Sequence, residues 1–531
     1  MRALALFATA SAPLALGLYA LLPTAADARQ DQVVTAPLPP GPHPAPLAVN
    51  VPELHYWAAQ QVYSNLFKQA SRWHREDLST WAWDSGPPLA LDEDGWVTEL
   101  LPNQAASVLI ARGPDGLLAA GTYELRWDGS GTFQIQGDPT VVATEPNRME
   151  LAIATPSTSG IQLRLTATDP TDPVRNVRLF PPGIDPDDHG LFHPRFLQLL
   201  SEFRAIRFMD WQRTNGSEVR EWSDRSLPSD AVQTGESGVC LEHMIALCNM
   251  LDADAWFCMP HLASDDYVEH FATRVKEQLE PERRVFVEFS NEVWNGGFAQ
   301  AQYANQQGAL LGLSGSAFQN QLRWYSQRAV EVFGVWSGVF SQEPERLVRV
   351  LAGQSVNPWT GQVILEHDDA WQQADAYAVA PYFGATLGSP ENAAGVLQMS
   401  SEEFWKALDD SVDFTLDKVV ENVTLSSAKG LPLLAYEAGQ HLAGIGAWQN
   451  DQALTDLFVG ANRSDRMGAL YTRFLEGWRN SGAHEMFLWN LADEPSKFGS
   501  WGLLERSTQD PDEAPKFRAV RLFSSQNSPW W

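Results

Sequence analysis

Two glutamates close apolar runs, and their settings suit them to work as a pair. Val285-Phe286-Val287-Glu288-Phe289 leads through Ser290-Asn291 to Glu292, followed by Val293-Trp294-Asn295, and Leu433-Leu434-Ala435-Tyr436 leads to Glu437. A carboxyl at the end of a hydrophobic strand stands at the rim of a sheet. Two such groups over one acetal cleave it by double displacement when they lie about 5 Å apart, one attacking the anomeric carbon and one moving the proton. The attacking group must be ionised and the other protonated, and burial or the neighbour's charge creates that difference. Asn291 is suited to hydrogen-bond a sugar hydroxyl. Glu288 shares the parity of Glu292 and reads as a buried hydrogen-bonding partner beneath it. Glu485 reads as structural, at the opposite end of the strands.

Strands and helices must bring these two points together. Strand-like segments fall at 205–209, 255–259, 285–289, 347–352, 376–380, 433–436 and 486–489, and one more lies around Ala48. Apolar residues recur at helical spacing over 241–251, 267–279, 319–333, 402–420 and 466–478. Eight strand–helix units in one chain predict an α/β (β/α)8 TIM barrel, with Glu292 and Glu437 at the mouth ends of the fourth and seventh strands. The rival, an open doubly wound sheet, lacks its Gly-rich phosphate loop. Between about 78 and 178 the texture changes to short alternating segments such as Thr122-Tyr123-Glu124-Leu125-Arg126-Trp127, separated by Asp-Gly and Asp-Pro turns. That pattern predicts an antiparallel β-sandwich inserted between the first and second barrel units. The expected organisation is a signal peptide over 1–28, a Pro-rich linker over 29–45, a first βα unit over 46–76 with an amphipathic helix at 62–73, the sandwich over 77–179, and the rest of the barrel over 180–531. The turn Asp92-Glu93-Asp94-Gly95 reads as a hairpin turn in preference to a calcium loop.

Composition narrows the partners. The chain has 531 residues and a formal charge of -29, a field that repels nucleic acid and anionic membranes. Arg2, the apolar run after it and Ala26-Asp27-Ala28 have the form of an export signal cleaved before Arg29, and an uncleaved anchor is the alternative. A secreted, periplasmic or cell-envelope location follows, with no stable membrane insertion after cleavage. Cys240, Cys248 and Cys258 are too few for a disulfide framework and have no metal-ligand spacing; buried thiols are the first reading and one disulfide the second. Trp is abundant, with 21 residues, and indole faces stack on pyranose rings. Trp211, Trp294, Trp359 and Trp489 fall on predicted mouth loops or strand ends.

With these residues in view, the sequence resembles the clan A glycoside hydrolases, which include family 5 cellulases and mannanases. The resemblance rests on Glu288-x-x-Asn291-Glu292 and Tyr436-Glu437, and on four further strand-end positions. Arg207 looks like the clan's strand-two arginine that holds the nucleophile, and His261 like its strand-three histidine. Tyr382 looks like the strand-six tyrosine bonded to the nucleophile, and Trp489 like the strand-eight tryptophan that floors the sugar subsite. The likeness covers the barrel and not the sandwich. It implies a retaining mechanism with Glu292 as acid/base and Glu437 as nucleophile. Three features depart from the pattern: Val293-Trp294-Asn295 where those cellulases usually carry proline, the inserted sandwich, and the loop Met209-Asp210-Trp211. The string Ser-Asn-Glu-Val-Trp-Asn also resembles bacterial proteins loosely labelled cellulose-binding.

The expectation is a secreted retaining glycoside hydrolase acting on a β-linked polysaccharide or oligosaccharide. It needs no cofactor or metal, because two carboxylates suffice. Asn291, Arg207, His261, Tyr382, Trp489, Trp294 and Trp211 are its candidate substrate-binding residues. The rival from another class is a catalytically silent carbohydrate-binding protein on a glycosidase-like barrel. An esterase is disfavoured, since no G-x-S-x-G elbow occurs.

Overall fold

Eight parallel strands form one sheet: β1 Ala48–Asn50, β2 Ala205–Arg207, β3 Asp254–Met259, β4 Val285–Phe289, β5 Leu347–Ala352, β6 Ala376–Val379, β7 Leu433–Ala435 and β8 Phe487–Leu488. Their spatial order is β7-β6-β5-β4-β3-β2-β1-β8. A parallel bridge between Ala435 and Met486 joins the two ends, so the sheet closes into a TIM barrel. The computed structural model describes residues 45–113, 115–313 and 315–531. The export signal and nearly all of the Pro-rich linker lie outside the described residues. Among the described residues no helix is long and apolar enough to cross a membrane.

Alternation along the strands divides the side chains between two cores. Val49, Ile206, Phe257, Val287 and Val379 face outward and pack with the helices. Ala48, Ala205, Trp256, Phe286, Val350, Ala378, Leu434 and Phe487 fill the barrel interior, where the Trp256 and Phe286 rings stack 5.3 Å apart. Arg207 and Glu288 have the inward parity and lie at the top of this interior. At its bottom Arg204, Asp254, Arg284 and Glu485 form a buried ionic cluster, with Arg284 Nη2 2.8 Å from Asp254 Oδ2 and Arg204 Nε 3.2 Å from Glu485 Oε1. Glu485 is therefore structural, as its place before the last strand suggested.

The segment between β1 and β2 departs from the expected helix. Only one 3-10 turn, Leu66–Gln69, forms where an amphipathic helix over 62–73 was expected. The apolar residues there serve two separate cores: Val62 and Tyr63 pack into the barrel, Leu66 and Phe67 into the sandwich. The spacing thus records a passage between domains. The helix that precedes β2 is Pro194–Leu200, after the sandwich.

The extra domain is two antiparallel sheets and a short hairpin that pairs Ala90–Leu91 with Val97–Glu99. One sheet orders Ala82–Trp83, His74–Asp77, Gln104–Ile110, Ile161–Thr168 and Gly131–Gly137; the other orders Arg175–Phe180, Gly121–Asp128, Arg148–Ile153 and Thr140–Glu145. Val108, Tyr123, Leu125, Leu151, Leu163 and Leu179 lie in the core between them. Asp92 Oδ1 accepts the N–H groups of Asp94 and Trp96, which makes the Asp92 turn a hairpin connection. All three cysteines are free and buried.

Candidate active site

The chain leaves β4 along a strained path. Ser290 has φ 61° and Glu292 has φ 42°, left-handed conformations that cost an L-residue about 1–2 kcal/mol each. Such strain persists only where the surroundings impose it. Here the Ser290 N–H donates to Met259 O at 2.8 Å, Gln300 Nε2 to Asn291 O at 2.9 Å and Gln321 Nε2 to Val293 O at 2.5 Å. The turn carries Glu292 to the barrel mouth above Glu288. Across the barrel, β7 ends with Tyr436 pointing inward and Glu437 next in the chain.

Arg207 organises the floor. It is fully buried and its guanidinium makes five hydrogen bonds, the number its N–H groups allow. Nη1 donates to Glu437 Oε1 at 2.9 Å and to Asn50 Oδ1 at 3.1 Å. Nη2 donates to Glu288 Oε2 at 2.9 Å and Asn291 Oδ1 at 2.8 Å, and Nε to Glu288 at 3.3 Å. Its Cζ lies 5.5 Å from the Trp256 ring centre and 5.1 Å from that of Tyr436. Glu288 also accepts from Trp256 Nε1 at 3.0 Å, so it is a counter-ion beneath the mouth.

The two mouth carboxyls have different partners. Glu437 Oε2 accepts from the Tyr382 hydroxyl at 3.0 Å, in addition to Arg207 at Oε1. Glu292 Oε1 accepts from the Tyr436 hydroxyl at 3.2 Å and Oε2 from Asn295 Nδ2 at 3.0 Å. Burial raises Glu292 to about 8, and the Glu437 charge adds to the rise, against the hydrogen bonds from Asn295 and Tyr436. Burial raises Glu437 as well, but Arg207 and Tyr382 oppose it by holding the charged form. Both carboxyls are thus raised, and the charged form is the better supported at Glu437, beside the guanidinium.

Asn291 spends its oxygen on Arg207 and one N–H on Asn215 Oδ1 at 3.1 Å, and Gln300 Nε2 fixes that Asn215 oxygen from the other side at 2.6 Å. Tyr382 is held by rings: His441 and Trp501 lie 5.9 and 5.8 Å from it, and 4.8 Å from each other. Trp489, at the end of β8, is half-buried against the barrel interior. Trp294 is half-buried against the outer core, and Trp359 is 40% exposed against Phe318. His261 follows β3 and is buried with its ring 5.4 Å from that of Tyr303; burial and then Arg220 lower it to about 4, so it is neutral. Its ring contact among the described residues is with Tyr303.

Trp211 is the one candidate that the structure removes. It was expected on a mouth loop, but it is 0% exposed and lies between Phe196, 6.1 Å away, and Phe208, 5.6 Å away. The chain turns back into the barrel's outer core after β2, with Gln212 N–H bonded to Phe208 O at 2.8 Å. No ring face of Trp211 is open to a sugar.

Four residues of the site were missed or undervalued. Asn50 is the polar residue in an apolar first strand, Leu47-Ala48-Val49-Asn50-Val51, and that contrast was available. In the sequence Tyr436 stands out only as the neighbour of Glu437. Asp210, on the loop after β2, accepts the Glu53 backbone N–H; burial, then the Glu53 and Glu437 charges, push it well above the usual carboxylate range. Trp501 sits far along the chain with no local signal.

No family model matches the chain, and no curated protein does. Solved structures do match at a distance. The GH51 arabinofuranosidase from Xanthomonas axonopodis pv. citri is 11% identical, with a TM-score of 0.39 over 65% of this chain and 68% of its own. A Bacteroidetes-affiliated GH5 cellulase linked with a polysaccharide utilization locus is 12% identical, with a TM-score of 0.36 over 63% of this chain and 85% of its own. A GH10 endoxylanase retrieved from a sugarcane soil metagenome is 10% identical, with a TM-score of 0.37 over 62% of this chain and 91% of its own. The chain is thus distantly similar in structure to glycoside hydrolases with TIM-like barrels.

Proposed function

We propose that this protein is a retaining glycoside hydrolase that cleaves β-linked polysaccharide or oligosaccharide. The observation that carries the reading is the unequal setting of the two mouth carboxyls: Glu437 is bonded to the Arg207 cation and Tyr382, whereas Glu292 accepts from the neutral donors Tyr436 and Asn295. In the first step the Glu437 carboxylate forms a bond to the anomeric carbon as the glycosidic C–O bond breaks, and Glu292 gives its proton to the departing oxygen. In the second, Glu292 takes a proton from water as that water attacks the same carbon and releases Glu437. Arg207 and Tyr382 hold the nucleophile in place, and Tyr436 and Asn295 aim the acid. Asn291 keeps one N–H free of Asn215 for a sugar hydroxyl, and Trp489 offers a ring at the mouth. We assign His261 to supporting the wall and Trp294 to the loop after Glu292. The export signal in the sequence supports secretion. Glu437→Ala, purified and checked for folding, tests the assignment: loss of hydrolysis on every glycan that the wild type cleaves is expected, and retained activity refutes the role. Sugar binding without hydrolysis by the wild type on any glycan of a broad panel would favour the silent binding protein instead.

A further inference from the structure

The sandwich carries two indoles that its own packing does not explain. Trp81 is 63% exposed and Trp83 is 37% exposed, on either side of Ala82. Trp81 also has φ 56°, an outlier for a bulky side chain, and it gains little burial in return. Both rings are braced from one side. Arg164 Cζ lies 5.3 Å from the Trp81 ring centre, and Arg164 is itself buried and paired with Glu76 at 2.6 Å. The His74 ring lies 5.3 Å from that of Trp83, and His74 Nδ1 is 2.9 Å from Asp84.

Strand register places these groups on one face. Residues directly opposite in antiparallel strands share a face. Trp83 stands opposite Glu76, His74 opposite Ser107, Ser107 opposite Arg164, and Arg164 opposite Gln134. The intervening residues Ala106, Val108, Leu163 and Leu165 face the sandwich core, so this set faces away from it. Gln134 and, opposite Gln162, Gln136 are exposed on the same side. The face therefore combines braced aromatic rings with free amide groups, and its one buried charge pair, Arg164 with Glu76, is neutral as a unit. Flat apolar rings beside uncharged hydrogen-bonding groups match a pyranose, which is apolar on its ring faces and hydroxylated at its edges.

We infer that this outer face of the sandwich is a second glycan-binding site, separate from the barrel mouth, that takes a neutral polysaccharide on Trp81 and Trp83. Its choice of a glycan rests in part on the proposed hydrolase activity, but its test does not. The full chain carrying Glu437→Gln is run in native gels containing neutral glucan, xylan, mannan or glucomannan. At least one polysaccharide is expected to retard it, and adding W81A and W83A to lower the affinity about tenfold or more. W81F with W83F, which keeps the rings, should restore part of the retardation. In the active background, W81A with W83A should leave hydrolysis of short soluble oligosaccharides unchanged. Retardation independent of both tryptophans, no retardation by any of the four polymers, or loss of a concentration-dependent dimer in the alanine variant would overturn the inference. If the hydrolase reading alone is wrong, retardation still depends on the tryptophans; if the binding face alone is wrong, hydrolysis remains.

Discussion

The Tyr436 hydroxyl lies 3.2 Å from Glu292 Oε1, and the next residue in the chain after Tyr436 is Glu437. One strand end thus supplies a carboxyl to the mouth and a donor to the opposing carboxyl. Tyr436 also packs its ring against Arg207, the cation that holds Glu437. Any shift of β7 would move both halves of the pair together, which keeps their mutual geometry under the control of a single element.

Tyr436→Phe removes the donor to Glu292 and keeps the ring on Arg207. A buried hydrogen bond to a charged group contributes about 1.5–3 kcal/mol, so kcat should fall about tenfold or more while the fold survives. The alkaline limb should also move to higher pH, because the hydroxyl stabilises ionised Glu292 and its loss keeps the acid protonated. Steady-state kinetics across pH would check this.

The pH profile of kcat/KM should have an alkaline limb set by Glu292. Glu292 must be protonated to act as the acid, so activity should fall as pH rises through about 8. Glu292→Gln should lower kcat by about 10²–10⁴ and remove that limb. The same shift predicts a stability effect in the same direction, over a lower pH window. The folded state holds a proton on Glu292 that the unfolded chain releases near 4.5, so native stability should decline between about 4.5 and 8. Above that window Glu292→Gln should melt higher than the wild type, as thermal unfolding would measure.

Arg207 should be the most sensitive position of the floor. Its removal strands Glu288 and Glu437 without their counter-ion, a loss of about 3–5 kcal/mol for a buried pair. Arg207→Lys should not rescue it, because a point charge cannot fill the five-bond fork. Arg207→Met combined with Glu288→Gln should be more stable than Arg207→Met alone, since one stranded charge is gone. Denaturant melts of the three variants would decide.

Trp211→Ala should destabilise by about 3–5 kcal/mol, the usual range for emptying an aromatic site in a core. KM of the folded fraction should be unchanged, in contrast to a substitution at Trp489. This pair of variants separates a packing tryptophan from one at the mouth.

The contrast between these two tryptophans also shows what was legible in the sequence. Glu292 and Glu437 were visible because each interrupts an apolar strand at its end, where chain periodicity alone identifies the rim. Glu288 was readable from the parity it shares with Glu292, and Arg207 from the clan A resemblance, but the ion pair between them was not. Trp211 was misread because the loop after β2 turns back into the outer core, a turn set by tertiary contacts with Phe196 and Phe208. The 62–73 stretch was misread because its apolar residues divide between two cores, a split that mimics one helical face. Trp501 reaches Tyr382 from a remote loop, and nothing local marks it.

Retention requires Glu437 to form a bond to the sugar. Incubation with a panel of 2-deoxy-2-fluoro glycosides bearing activated leaving groups, followed by peptide mapping by mass spectrometry, tests it directly. A glycosyl adduct is expected on the peptide carrying Glu437, and none in Glu437→Ala. An adduct on Glu292, or hydrolysis with inverted anomeric configuration and no adduct, would contradict it.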